Sequence, residues 1–306
     1  MGDINTLTIC DVSLRDGLQN EKTLISTEAK LALLDDLAGA GVTYLEVASF
    51  VNPKAVPQMA DAEAMVQAVS GRYPSLRGVG LIFNERGYER ALAAGCRSVA
   101  LVLIVSDSLS RSNSGRTADE WLPAYAALVA RAKSDGVWVR GYLAGAWVCP
   151  FEGQVDPVRA LYYADALLAM GVDELCATDP IGHAHPEQVE SLSRELMMRA
   201  GAEKLAVHLH DTLAFGLANA AAAMRAGVRI FDSSLGGLGG CPFAPGAAGN
   251  LATEDLVLMA QRMGYQTGID LDKLWDAVRR FEPVIGRPIG GRSRVWYDGQ
   301  RQAEQA

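Results

Sequence analysis

The 306-residue chain lacks a basic excess: 28 lysines and arginines stand against 36 aspartates and glutamates, a formal net charge of −8. A general nucleic-acid binder needs a basic face, so no nucleic-acid partner is expected. No apolar run reaches the roughly 18 residues of a membrane span, so no membrane partner is expected. The opening MGDINTLTIC has neither the basic start nor the long apolar stretch of a secretory signal. Its five cysteines include no CxxC pair. That excludes a disulfide framework and makes a reducing cytoplasm the expected compartment. No glycine-rich fingerprint follows the first strand-like run, which argues against dinucleotide binding.

What is present is a recurring unit. Gly41, Gly71, Gly95, Gly136, Gly171, Gly201, Gly227 and Gly264 follow helical stretches, where a glycine can close the last turn. Most lead into short β-branched runs that read as strands buried on both faces. These runs lie near Leu7–Val12, Thr43–Ala48, Gly78–Phe83, Arg97–Val105, Val137–Ala144, Glu174–Thr178, Lys204–Leu209 and Arg229–Asp232. Thr117 with Glu120, Asp156-Pro157 and His185-Pro186 mark helix starts. The pattern predicts an α/β fold, a (β/α)8 TIM barrel with an extra C-terminal helix near Leu271–Glu282. Residues 1–285 form the catalytic barrel with that helix, and 286–306 are expected to be a flexible tail, rich in Gly, Arg and Gln. A doubly wound open sheet is the competing architecture.

Active sites of such barrels lie at the carboxyl ends of the strands. Arg15 and Asp16 follow strand 1, and Glu46 and Ser49 lie on strand 2. Asp179 ends strand 6, and His208 and His210 lie on strand 7. Residues i and i+2 of a strand share a face, so His208 and His210 can meet one cation opposite Asp16. A mixed nitrogen and oxygen site suits a divalent cation such as Mg²⁺ or Mn²⁺. Arg15 offers a fork of donors for an oxygen gaining negative charge. Glu46 reads either as orienting that guanidinium or as a plain salt bridge with it. Cys241 sits in the loop Gly236–Pro242, in a context suited to a proton-donating or redox-sensitive thiol. Cys10, Cys96 and Cys176 read as core, and Cys149 as ambiguous.

These motifs resemble those of the 3-hydroxy-3-methylglutaryl-CoA lyase family, in the DRE-TIM metallolyase superfamily. The similarity rests on Arg15–Lys22 (RDGLQNEK), Ser49–Lys54, Val56–Met59, Val207–Thr212, Gly237–Pro242 and Gly249–Asp255. The arginine-aspartate-glycine and histidine-pair elements also fit condensing enzymes and 2-oxo-acid aldolases of that superfamily, the alternative function. The GGCP loop and QNE point to the lyase. The resemblance implies an acyl-CoA substrate, and metal ligation by Asp16, His208, His210 and Asn250. It implies Arg15 as the catalytic arginine, Glu46 as its partner and Cys241 as the loop thiol. The base is His208 or Asp16. Asp179 and Glu254 belong to the surrounding polar shell, Ser49 and Tyr142 to the pocket, and Lys22 lies near the CoA phosphates. Leucine degradation and a homodimer or higher homo-oligomer are the accompanying expectations. Ser13, Leu14, Ala144, Trp147, Cys176 and Pro180 depart from the family pattern. The last four are expected to reshape the acyl pocket.

Overall fold

A computed structural model describes residues 5–240 and 249–304. Eight parallel strands close into a barrel in sequence order: β1 Thr8–Asp11, β2 Tyr44–Ser49, β3 Arg77–Leu81, β4 Ser98–Ile104, β5 Trp138–Ala144, β6 Glu174–Asp179, β7 Leu205–Leu209 and β8 Ile230–Ser233. The last strand pairs with the first, Thr8 opposite Ile230 and Asp11 opposite Ser233. Every strand expected from sequence is present. Helices α1 Thr27–Gly39, α2 Ala62–Arg72, α3 Glu85–Ala93, α4 Asp107–Ser114, α5 Ala118–Ser134, α6 Pro157–Met170, α7 Pro186–Ala200, α8 Gly216–Arg225 and α9 Thr253–Arg262 run between the strands and after β8. Helix α4 and a two-residue hairpin, Val148–Cys149 with Gly153–Gln154, were not anticipated.

The helix starts follow their chemistry. Thr117 Oγ1 accepts from Glu120 N–H while Glu120 Oε2 accepts from Thr117 N–H at 2.7 Å, a reciprocal cap. Asp156 accepts from Val158 N–H ahead of Pro157. Gly71 departs from its expected place and lies inside α2.

Strand parity divides the core. Residues such as Leu45, Val99, Leu143 and Leu175 face the helices. Cys10, Tyr44, Val79, Leu81, Ala100, Tyr142, Cys176 and Ala206 fill the barrel interior. The pairing of β2 with β3 shifts between Glu46 and Ala48. That bulge gives Glu46 and Ser49, three residues apart, the inward-facing partners Val79 and Leu81.

Beyond the barrel, α10 Leu271–Ile285 packs against α1 and α9. The segment after α10, expected from composition to be a flexible tail, is tied to the barrel by hydrogen bonds. Gly291 N–H donates to Glu254 Oε1 at 2.7 Å, and the N–H groups of Arg292 and Ser293 donate to Asp255. Helix α11, Arg294–Glu304, then stacks Tyr297 on Trp275 with ring centroids 4.9 Å apart. Buried carboxylates of α9 order a segment whose own composition carries few apolar anchors.

Candidate metal centre and active site

The first strand ends in a single π-type turn, Ser13–Gly17, closed by Gly17 N–H donating to the Val12 carbonyl. Such wide turns recur at functional sites. Here the turn carries Arg15 and Asp16 over the barrel mouth. A Cβ on Gly17 would stand 2.6 Å from Ser234 Oγ and 3.2 Å from Leu238 Cβ, so a larger residue here would displace these side chains or push the turn away from the chain after β8.

Asp16, His208 and His210 converge there, with one ligand atom of each within 4.8 Å of the others. The two imidazole Nε2 atoms are 3.2 Å apart. Asp16 Oδ2 is 3.7 Å from His210 Nε2 and 4.0 Å from His208 Nε2. Adjacent ligands of an octahedral ion with bonds of about 2.1 Å stand about 3.0 Å apart, so the histidine spacing fits a small dication. Asn250 is brought alongside by a bridge to His210. Its Nδ2 donates to Asp16 Oδ2 and to the Leu238 carbonyl. Its Oδ1 is buried with no partner among the described residues, an unused oxygen donor beside the trio. Gly239, at φ +115, leaves room for that amide, since a Cβ would meet Asn250 Nδ2 at 2.5 Å.

Arg15 is clamped. Its Nε donates to Glu46 Oε2 at 2.6 Å and its NH1 to Asp16 Oδ1 at 2.5 Å. Burial disfavours the charge on Arg15, but Glu46 and Asp16 outweigh it and keep the guanidinium ionised. Burial likewise opposes ionisation of Asp16. Arg15 and the two imidazoles prevail, holding its carboxyl far below the usual range. For Glu46 burial dominates and pushes the carboxyl up.

A second layer below was not singled out from sequence. His208 Nδ1 lies 3.1 Å from Asp232 Oδ2. The other oxygen of Asp232 accepts from Arg140 NH2 at 2.6 Å, and Tyr142 OH contacts both Asp232 and Glu46. Arg140 also pairs with Glu174. Two guanidiniums, Arg15 and Arg140, thus face four carboxylates: Asp16, Glu46, Glu174 and Asp232. Charged residues inside apolar strands were the available signal. Asp232→Asn is expected to weaken Mn²⁺ binding about 10–100-fold, because a carboxylate behind a ligating histidine fixes its ring and tautomer. Titration calorimetry on the folded variant checks this. Unchanged affinity with lowered thermal stability would reduce Asp232 to a packing role.

The remaining residues sort by position. Arg15, Asp16, Tyr142, Ala144, Pro180, His208 and His210 line one cavity of about 190 Å³. Ser49 is buried at the end of β2, its hydroxyl without a partner among the described residues. Asp179 and Glu254 do not line the cavity. Asp179 accepts from Gly182 and Ala184 N–H and shapes that turn. Glu254 ties Gly236 to Gly291, with its pKa pushed up to about 7 by burial. Lys22 is exposed. Cys241 lies outside the described residues; its neighbour Gly240 lines the cavity. Cys149 takes N–H donors from Phe151 and Glu152 in the hairpin turn, a structural role. Two of the expected acyl-pocket residues are elsewhere. Cys176 sits one layer down, 3.8 Å from Asp232 Oδ2, and Trp147 turns outward to donate to the Gln188 carbonyl of α7.

Residues 6–280 match the HMGL-like family. The chain belongs to that family. Among relatives of this HMGL-like chain, the (R)-citramalyl-CoA lyase of Chloroflexus aurantiacus is 40% identical, covering 94% of this chain and 93% of its own. The hydroxymethylglutaryl-CoA lyase of Bacillus subtilis is 37% identical, covering 94% and 96%. A solved Bacillus subtilis HMG-CoA lyase superposes with a TM-score of 0.92 at 36% identity, covering 96% and 98%. An HMG-CoA lyase from Acinetobacter baumannii, solved with coenzyme A and 3-methylmalate, gives 0.91 at 34%, covering 96% and 95%. No helix among the described residues is long and apolar enough to cross a membrane. The HMGL-like chain is thus a carbon-carbon lyase by family, with a candidate metal centre at Asp16, His208 and His210.

Proposed function

We propose that this lyase cleaves 3-hydroxy-3-methylglutaryl-CoA, or a related 3-hydroxy-acyl-CoA, to acetyl-CoA and a keto acid such as acetoacetate. Asp16, His208, His210 and Asn250 would hold Mg²⁺ or Mn²⁺. The reading extends to a cytoplasmic homodimer or higher homo-oligomer acting in leucine degradation, with Lys22 beside the CoA phosphates. The observation that carries it is the Arg15 fork, fixed by Glu46 and Asp16 beside the histidine pair.

A bound dication supplies Lewis acidity, which lowers the pKa of a coordinated substrate hydroxyl. Asp16 and His208 are the two candidate bases for that proton. Arg15 holds the Asp16 carboxyl far below the usual range and so makes it a weak base, and Asp232 fixes the His208 ring through Nδ1. As the C2–C3 bond breaks, its electron pair passes into the thioester and C3 becomes a ketone. Arg15 holds the enolate oxygen. The Cys241 thiol then gives C2 its proton. Chelation is expected to abolish turnover, and Mg²⁺ or Mn²⁺ to restore it, with acetyl-CoA read by mass spectrometry. Full activity of rigorously metal-free protein would sink this reading.

A further inference from the structure

The cavity at the barrel mouth is divided by sector. One wall carries Arg15, Asp16, His208 and His210. The wall built by β3, β4 and α4 carries Leu81, Phe83, Val102, Ile104 and Leu109, with the uncharged amide of Asn113 on α4 its one polar residue. Among the described residues, Arg15 is the only lysine or arginine lining the cavity, and its guanidinium is already held by Glu46 and Asp16. The apolar wall therefore offers no cation to a carboxylate.

We propose that this wall seats an apolar branch on C3 larger than methyl, so that the preferred substrate is a 3-hydroxy-3-alkyl-acyl-CoA. The proposal rests on the lyase reading above and adds the substrate class. The hydroxyl and thioester lie at the polar wall, and the branch projects between β4 and α4. Pro180 and Ala144, which also line the cavity, keep its neighbouring edge free of charge. Each further buried methylene is worth about fourfold in kcat/KM.

The test compares 3-hydroxy-3-methylglutaryl-CoA with its 3-propyl homologue, using the full chain loaded with Mg²⁺ or Mn²⁺. Cleavage of the homologue conserves every atom, giving acetyl-CoA and 3-oxohexanoate. The expected result is a kcat/KM at least about tenfold higher for the propyl compound. Val102→Phe should reduce that ratio at least about tenfold by filling the wall. A preference for methyl overturns the proposal. So does an equal loss for both substrates in Val102→Phe, which would assign the wall to the CoA arm. Turnover of neither compound by metal-loaded protein would strike the lyase reading itself, and the proposal with it.

Discussion

Cys241→Ala is expected to lower kcat by about 10²–10⁴-fold, the usual worth of a positioned general acid. Cys241 follows Gly239-Gly240 and precedes Pro242 in a glycine-rich stretch of sequence. Cys10, Cys96, Cys149 and Cys176 are all buried, and burial pushes the thiols of Cys10, Cys96 and Cys176 up. None of those four lines the cavity, whereas Gly240 does. The loss should fall on kcat, with Mn²⁺ affinity and far-ultraviolet circular dichroism nearly unchanged. Stopped-flow turnover of the folded, metal-loaded variant is the measurement. Wild-type rates there would remove the proton-donor role.

The barrel was legible because each of its strands is buried on both faces, so an apolar run between glycine stops is its direct imprint. The metal trio was legible for a related reason. A strand's period of two places His208 and His210 on one face whatever the register, and Asp16 follows its own strand's end. Asp232 and Arg140 needed more. They are 92 positions apart, and they meet only when β5 and β8 both turn these residues into the same interior. Depth within the barrel was likewise invisible. Cys176 was read as core and also counted with the acyl pocket; it is buried a layer below Thr178, against Asp232. The ties of the C-terminal segment were not legible either, because Glu254 and Asp255 capture its backbone N–H groups, which composition does not show. Lys22, Ser49 and Tyr142 were assigned by resemblance. Of these Tyr142 alone lines the cavity, Ser49 is buried at the end of β2, and Lys22 is exposed.

Arg15→Lys is expected to cost about 10²–10³-fold in kcat, the loss seen when one donor to a developing oxyanion is removed. The substitution keeps a positive charge between Glu46 and Asp16, so the acidity of Asp16 and the metal trio should survive. What disappears is the fork. In the wild type, Nε and NH2 are spent on Glu46, and NH1 on Asp16. Those contacts fix the guanidinium plane before substrate arrives, so its remaining N–H groups are aimed without reorganisation. An ammonium on a flexible stem has three donors and no plane. Drawn to the same two carboxylates, it has no fixed direction left for the enolate. Because the enolate oxygen gains its charge only as C2–C3 breaks, the penalty belongs to the transition state. KM and Mn²⁺ affinity should therefore change by a few-fold at most. Equal losses in KM and kcat would instead place Arg15 in ground-state binding. A large fall in Mn²⁺ affinity would make its main task the holding of Asp16.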